Sequence, residues 1–411
     1  MITRSAALAL DQADTMQQKR IEFSLPENVI YLDGNSLGVL PKAAMARVKH
    51  AVEIEWGRDL ITSWNKHGWF HLPRVAGDKI AHLIGAAKDS VIVADSISVN
   101  LFKVLSAAVA RQPGRKIILS DSGNFPSDLY VAQGLSTFMA DGHALSVVEP
   151  EAVLDAITKD VAVVMVTETD YRSARRHDMK AITARAHEKG ALVIWDLAHS
   201  AGAVPGQLME VNADFAIGCT YKYLNGGPGS PAFVFVHPRM QNEVMPALVG
   251  WWGHAAPFVF EQKFMAAEGI LRMQCGTQPV LSLQALDAAL DVWADVDMNE
   301  VYAKAQKMCA LFTELAEARC GSHGIVLFGG RNFANRGSHV CLQHPEGYAV
   351  MQALIKRGVI GDFRAPDLMR FGFAPLYNSF VDVWDAVEHL AAVMDGRLWD
   401  IAEFRERKAV T

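Results

Sequence analysis

Two residues in the middle of the chain have types and surroundings suited to chemistry. Asp196 directly follows the apolar run Ala191-Leu192-Val193-Ile194-Trp195. A carboxylate at the tip of a buried strand is poorly hydrated and needs a cationic partner. Lys222 lies further on, in Thr220-Tyr221-Lys222-Tyr223-Leu224-Asn225-Gly226-Gly227, between two more apolar runs. Taken singly, Asp196 reads as a helix N-cap and Lys222 as a surface charge. A lysine set among tyrosines and apolar strands is different, because desolvation favours the uncharged amine that forms Schiff bases.

The elements that would position these residues repeat one pattern. Val91–Ala94, Lys116–Leu119, Val161–Val166 and Ala191–Trp195 are short apolar runs that end in polar turns, and amphipathic stretches such as Ala181–Lys189 alternate with them. Such units read as βαβ in a parallel sheet, with Phe215–Gly218 and Ala232–Val236 as two further strands around the Lys222 loop. Ligands of open parallel sheets sit outside the carboxyl ends of the strands. Those ends offer Ser96 and Ser98, the loop Asn124-Phe125-Pro126-Ser127-Asp128, Asp196 with His199, and Lys222. Pyridoxal phosphate (PLP) chemistry needs a lysine for the Schiff base and an acid opposite the pyridine nitrogen, and the phosphate needs a cradle of N–H groups and hydroxyls. Lys222, Asp196 and the segment 95–100 meet these needs together.

The composition agrees with a soluble enzyme. The 411 residues are enough for two or three folding units, with 51% hydrophobic and 20% charged residues. A net charge of −6 without a long basic run argues against nucleic acid as a partner. Five scattered cysteines, odd in number and without CxxC spacing, suit a reducing cytoplasm rather than a disulfide framework or zinc site. Apolar runs fall far short of a membrane span, and the N-terminus lacks the pattern of a secretory signal. A cytoplasmic location is expected.

The last third changes character. Val280–Trp293 and Val301–Ala318 carry Leu and Ala at helical spacing. Short strands follow at Ser338–Leu342 and Arg370–Phe373, around a helix at Tyr348–Arg357, before a closing helix over Phe380–Met394. The expected division is an N-terminal segment 1–50 packing with the small domain, a large α/β domain 51–290, and a small α+β domain 291–411.

At this level the chain resembles the kynureninases, PLP enzymes of the aspartate-aminotransferase fold type I. Matching blocks run nearly end to end. They include Tyr31–Gly38, Asn100–Lys103, Asn124–Tyr130, Trp195–Pro205 and Ile217–Gly229, then Gly250–His254, Cys275–Pro279, Arg336–Val340, His344–Val350 and Met369–Gly372. The resemblance implies a large domain with a mainly parallel sheet and helices on both faces, and a smaller α+β domain. It implies hydrolysis of the Cβ–Cγ bond of L-kynurenine, or 3-hydroxykynurenine, to an anthranilate and L-alanine in tryptophan catabolism.

The resemblance also implies roles. Lys222 would carry PLP and move protons, and Asp196 would pair with the pyridine nitrogen, with His199 beside it. Phe125 would stack on the ring, and Asp128 would hydrogen-bond near it. Tyr221, Ser96 and the backbone of Ile97 would bind the phosphate, joined by Trp251 and Thr277 from the second subunit of a homodimer. Arg370 would clamp the substrate α-carboxylate, and Asn35 and Trp64 would line the substrate pocket.

Two departures stand out. Ile97 occupies a position where the family commonly has a hydroxyl residue. The segment Glu168–Arg176 carries Tyr171-Arg172-Ser173-Ala174 where the family often has Tyr-x-Thr-Gly, and adds Arg175 and Arg176. These departures at Ile97 and Glu168–Arg176 raise an alternative, a kynureninase-like hydrolase acting on a different β-aroyl or β-acyl alanine, with the arginines suiting a more acidic acyl group. A cysteine desulfurase would need a nucleophilic cysteine on a mobile loop, whereas Cys341 falls in an expected strand. An aminotransferase and a non-catalytic PLP-binding protein complete the alternatives, the last disfavoured by the full set of Lys222, Asp196 and Arg370.

Overall fold

The computed structural model describes residues 2–408. After a two-residue strand β1 (Ile30–Tyr31), the apolar runs become β2 (Val91–Val93), β3 (Ile117–Asp121), β4 (Ala144–Val148), β5 (Val161–Thr167), β6 (Leu192–Asp196), β7 (Phe215–Gly218) and β8 (Phe233–Val236). Strands β2 to β8 form one sheet in the order β2-β8-β7-β6-β5-β3-β4. Neighbours from β4 to β7 pair in parallel, and β8 alone runs against the rest.

The sheet is covered on both faces because its strands are apolar on both sides. Along β6, Val193 and Trp195 enter one core while Ile194 enters the other. The alternation repeats on β8, where Phe233 and Phe235 face the first core and Val234 and Val236 the second. Trp195, fully buried, keeps its indole N–H satisfied by Thr183 Oγ1 at 3.2 Å.

The C-terminal lobe has its own sheet and its own core. Strands β9 (Val326–Phe328), β10 (His339–Gln343), β12 (Asp362–Arg364) and β13 (Leu368–Gly372) pair antiparallel in the order β12-β13-β10-β9, while β11 (Val359–Ile360) lies apart from them. The register sets Arg370 of β13 opposite Cys341 on one side and Asp362 on the other. The helices Met298–Cys320, Gly347–Lys356 and Phe380–Asp395 supply buried side chains to this core.

The first fifty residues touch both lobes. Helix Arg4–Gln12 meets the start of helix Phe380–Asp395, where Asp11 accepts from the N–H groups of Phe380 and Val381 at 2.6 and 3.0 Å. Strand β1 pairs in parallel with β11. Helix Lys42–His50 then lies on helix Val280–Asp291, with Arg47 bonded to Asp287 at 3.0 Å. Among the described residues no helix is long and apolar enough to cross a membrane.

Candidate active site

The carboxyl ends of β2, β3, β5, β6 and β7 open on a cavity of about 420 Å³. Most of the residues expected from the sequence meet there: Asn35, Ser96, Ile97, Phe125, Asp128, Asp196, His199, Tyr221, Lys222 and Arg370. The C-terminal lobe closes one side with Arg364 and Arg370.

Lys222 stands on the turn between β7 and β8, and its Nζ lies 3.0 Å from His199 Nε2. Burial and the nearby cations hold the His199 imidazole well below its ordinary pKa, so it is neutral and can accept from the lysine. The turn is pressed against the N-terminal segment, since the Gly38 N–H donates to the Tyr221 carbonyl at 2.7 Å. A Cβ at Gly38 would come within 2.3 Å of the Lys222 carbonyl oxygen, so glycine is needed for this approach.

Asp196 ends β6 and accepts from the Ala198 N–H at 2.8 Å. Asp128, in the first turn of helix Pro126–Met139, faces it. Two carboxylates sharing a buried site cannot both ionise readily. Burial and the Asp196 charge drive the Asp128 carboxyl well above its usual range, while burial also raises Asp196, against the pull of Lys222. Of the two, Asp128 is the one pushed further toward its protonated form. Phe125 caps the same helix, half-exposed, with its ring edge-on to Tyr171 at 5.1 Å.

The β2 tip turns through Asp95, whose φ is 51°, into helix Ile97–Ala110 with Ser96 as its N-cap. Ser96 Oγ accepts from Val99 N at 3.4 Å. The first N–H groups of a helix have no acceptor within it, so those of Ile97 and Ser98 are available to an anion. Isoleucine at 97 keeps that donor. Asp95 is tied down by Lys103 at 2.7 Å, a lysine with no exposed surface, and by the Cys275 thiol at 3.4 Å.

Arg370 is buried and already oriented. Its Nε and Nη2 donate to the two Asp362 oxygens at 2.9 and 2.5 Å, Nη2 also to Ser36 Oγ at 2.8 Å, and Nη1 to the Tyr171 carbonyl at 2.8 Å. With its amide oxygen turned to the guanidinium, as the donors require, the fully buried Asn35 accepts from Nε at 2.8 Å. Sequence reasoning missed Asp362, Arg364 and Ser36. Asp362 also binds Arg364 at 2.5 Å, which adds a second cation to the cavity wall. For Asp362 and Arg364 the sequence signal is the alternation Asp362-Phe363-Arg364, whereas Ser36 sits inside the block Tyr31–Gly38 beside Asn35.

Three expected residues do not line this cavity within one chain. Trp64 packs edge-on between Trp69 and Trp252, at 5.7 and 5.4 Å, the edge-to-face arrangement that aromatic rings favour. Trp251 stacks on Phe260 at 6.2 Å, and Thr277 is exposed.

The arginine turn is committed elsewhere. Arg176 donates to Glu168 at 2.6 Å and to the Tyr302 hydroxyl at 3.2 Å, Arg175 lies against the His177 ring at 3.3 Å, and Arg172 reaches the Ser122 carbonyl at 3.4 Å. None of the three lines the cavity. Cys341 is buried on β10 with its thiol pushed up to about 12 by desolvation, which is unlike a loop nucleophile.

The cavity fits PLP. Asp128 Oδ2 and His199 Nδ1 are buried at its floor without partners, as polar groups awaiting a ligand would be. A helix N-terminus, an amine and an acid pair surround the same space.

Comparison with known proteins agrees with this geometry. The architecture matches a cysteine desulfurase from Thermococcus onnurineus with a TM-score of 0.76 at 17% identity, covering 92% of this chain and 98% of that one. It matches C-DES, with glycine linked covalently to its PLP cofactor, with a TM-score of 0.79 at 16% identity, covering 93% and 99%. These likenesses show the fold, PLP-dependent fold type I. Residues 301–390 match the family model of the kynureninase C-terminal domain. Kynureninases from Pseudomonas fluorescens and Burkholderia mallei are 51% and 50% identical, each aligned over the whole of both chains. The fold, the cavity and this identity lead to one assignment: the chain belongs to the kynureninase family.

Proposed function

We propose that this protein is a PLP-dependent hydrolase that cleaves the Cβ–Cγ bond of L-kynurenine, and of 3-hydroxykynurenine where the pocket admits the ring hydroxyl, to an anthranilate and L-alanine. The observation that carries the reading is the meeting of Lys222, the Asp128–Asp196 pair and the pre-oriented Arg370 in one cavity of a chain half identical to kynureninases.

When bound, PLP supplies the electron sink for the charge left at the substrate carbons. The chain's own residues do the rest. Lys222 Nζ would hold the cofactor's aldehyde carbon, then move protons at the substrate Cα with His199 accepting at Nε2. Asp196 would pair with the ring nitrogen, its charge favoured over that of Asp128 by the neighbouring Lys222 and the Ala198 N–H. Phe125 would cover the ring face. Ser96, Tyr221 and the N–H of Ile97 would grip the phosphate. Arg370, with Asn35 beside it, would fix the α-carboxylate by its charge and the N–H left over on Nη1. Water would then add to the γ-carbonyl.

The working unit we infer is a cytoplasmic homodimer with the active site at the subunit interface. Trp251 of the partner subunit and Thr277 of the partner subunit would complete the phosphate site. Because Trp64 joins the aromatic cluster of Trp251 through Trp252, its part in lining the substrate pocket would also be played across that interface. The commitments of Arg172, Arg175 and Arg176 remove the reason to invoke a more acidic substrate.

The test mixes PLP-loaded protein with L-kynurenine and follows anthranilate fluorescence. Turnover that disappears in Lys222→Ala is expected. A protein that binds PLP and releases no anthranilate would overturn the substrate assignment.

A further inference from the structure

Away from the cavity, His50, Glu55 and His67 bring one imidazole nitrogen or carboxylate oxygen each to within 4.8 Å of one another. Local backbone geometry explains the meeting. Helix Lys42–His50 runs into a π-helical turn over Ala51–Trp56, with Gly57 N donating to Val52 O and Asp59 N to Ile54 O, both at 2.9 Å. In an α-helix, residues five apart point well away from each other, whereas the wider π turn stacks them. The turn therefore sets Glu55 beneath His50. The chain comes back through Leu60–Thr62 and Ser63–Lys66 to deliver His67.

Glu55 is oriented as a ligand would be. It is buried, and its Oε2 accepts from Trp69 Nε1 at 2.6 Å and from Gln284 Nε2 at 2.9 Å. Those donors account for one oxygen. The other, Oε1, lies 3.9 Å from His50 Nε2. His67 is held by Asp59 at 2.7 Å, a carboxylate–imidazole pairing common beside metal ligands, and its ring stands edge-on to His50 at 6.2 Å.

We propose that His50, Glu55 and His67 bind a divalent transition-metal ion of the Zn2+ class, with water in the fourth position. Two neutral imidazoles and a carboxylate are a common set for this ion, at about 2.0–2.2 Å per bond. The donor atoms must close by roughly an ångström to reach that spacing, a movement that the exposed His50 side chain can make. The ion would tie the end of helix Lys42–His50 to the segment carrying Trp64 and Trp69. It would brace the aromatic cluster without taking part in the chemistry at Lys222.

The probe is ZnCl2 titrated calorimetrically into tag-free holoenzyme after chelator treatment and dialysis, with Co2+ absorption reporting the coordination. One ion per chain is expected, with affinity weakened about a hundredfold or more in His50→Ala and in His67→Ala. His50 is exposed and outside the catalytic machinery, so His50→Ala should fold and turn over kynurenine as the parent does. Glu55→Gln is the weaker test, because it also disturbs Trp69 and Gln284. Binding below one equivalent, or equal binding by the parent and both histidine variants, would overturn the site.

Discussion

Arg370 and Asp362 stand opposite each other across β12 and β13, and the guanidinium spends its Nε and one Nη on the two carboxylate oxygens. Two effects oppose each other here. The Asp362 charge weakens the pull of Arg370 on an incoming carboxylate, while its two hydrogen bonds fix the guanidinium plane and so the direction of the N–H left on Nη1. We expect geometry to win. Asp362→Asn should raise KM about tenfold, the worth of one charge-assisted hydrogen bond, and leave kcat within about threefold. An unchanged or lowered KM would show that the charge dominates.

Asp33 lies between β1 and Asn35, with burial and the Asp362 charge pushing its carboxyl up to about 7. An unfolded aspartate titrates near pH 3.9. Between those values the folded chain keeps a proton that the unfolded chain has released. The group's contribution to stability is therefore present at low pH and lost as pH rises through about 7. Urea midpoints taken between pH 5 and 8 should fall less steeply in Asp33→Asn than in the parent. Parallel profiles would contradict the assignment.

Gly38 is the contact between the N-terminal segment and the lysine turn. A methyl there would meet the Lys222 carbonyl at 2.3 Å and Asn225 Cα at 2.7 Å, both backbone atoms that cannot swing aside. Gly38→Ala should cost about 1–3 kcal/mol and shift the turn. Turnover should drop more than PLP affinity does, as read from activity against cofactor absorbance.

Ala174 holds a left-handed backbone, φ 60°, at a position fully closed to solvent. Its methyl group is crowded in that conformation, at a cost of about 1–2 kcal/mol offset in part by glycine's greater unfolded freedom. Ala174→Gly should raise the melting temperature by a few degrees. A fall would mean that the methyl packs better than it strains.

The arginines nearby separate by what they hold: Arg176 pairs with a buried carboxylate and Arg172 with a carbonyl. Removing Arg176 leaves Glu168 buried and uncompensated, so Arg176→Ala should destabilise by about 3–5 kcal/mol. Arg172 touches only a carbonyl and the face of Tyr171. Arg172→Ala should leave kcat/KM for kynurenine within about twofold.

Residues were legible in the sequence where an apolar run announced the strand that carries them. Asp196 and Lys222 adjoin such runs, and the cavity forms at their ends. β4 gave no such signal because it lies at the sheet edge, partly exposed, and needs no continuous apolar run. The strand bearing Asp362 and Arg364 is three residues long and polar at both ends, so its place opposite Arg370 exists only in the register. The arginine turn failed differently. A sequence displays charge but not the partner: the segment folds back on itself through a bridge between Thr169 and Arg176 so that Glu168 and His177 meet its arginines, and Tyr302 reaches Arg176 from a distant helix.

The route of the chain from Ile30 to His50 bears on how the molecule comes apart. This stretch is stitched into the C-terminal lobe beside β11, leans on the lysine turn through Gly38, and docks on a helix of the large lobe. Melting the C-terminal lobe would pull away the backing of Lys222, and loosening the large lobe would strip a strand from its neighbour. Heat should therefore take catalysis and structure together, in one cooperative step, with no partly melted form in which the lysine still works.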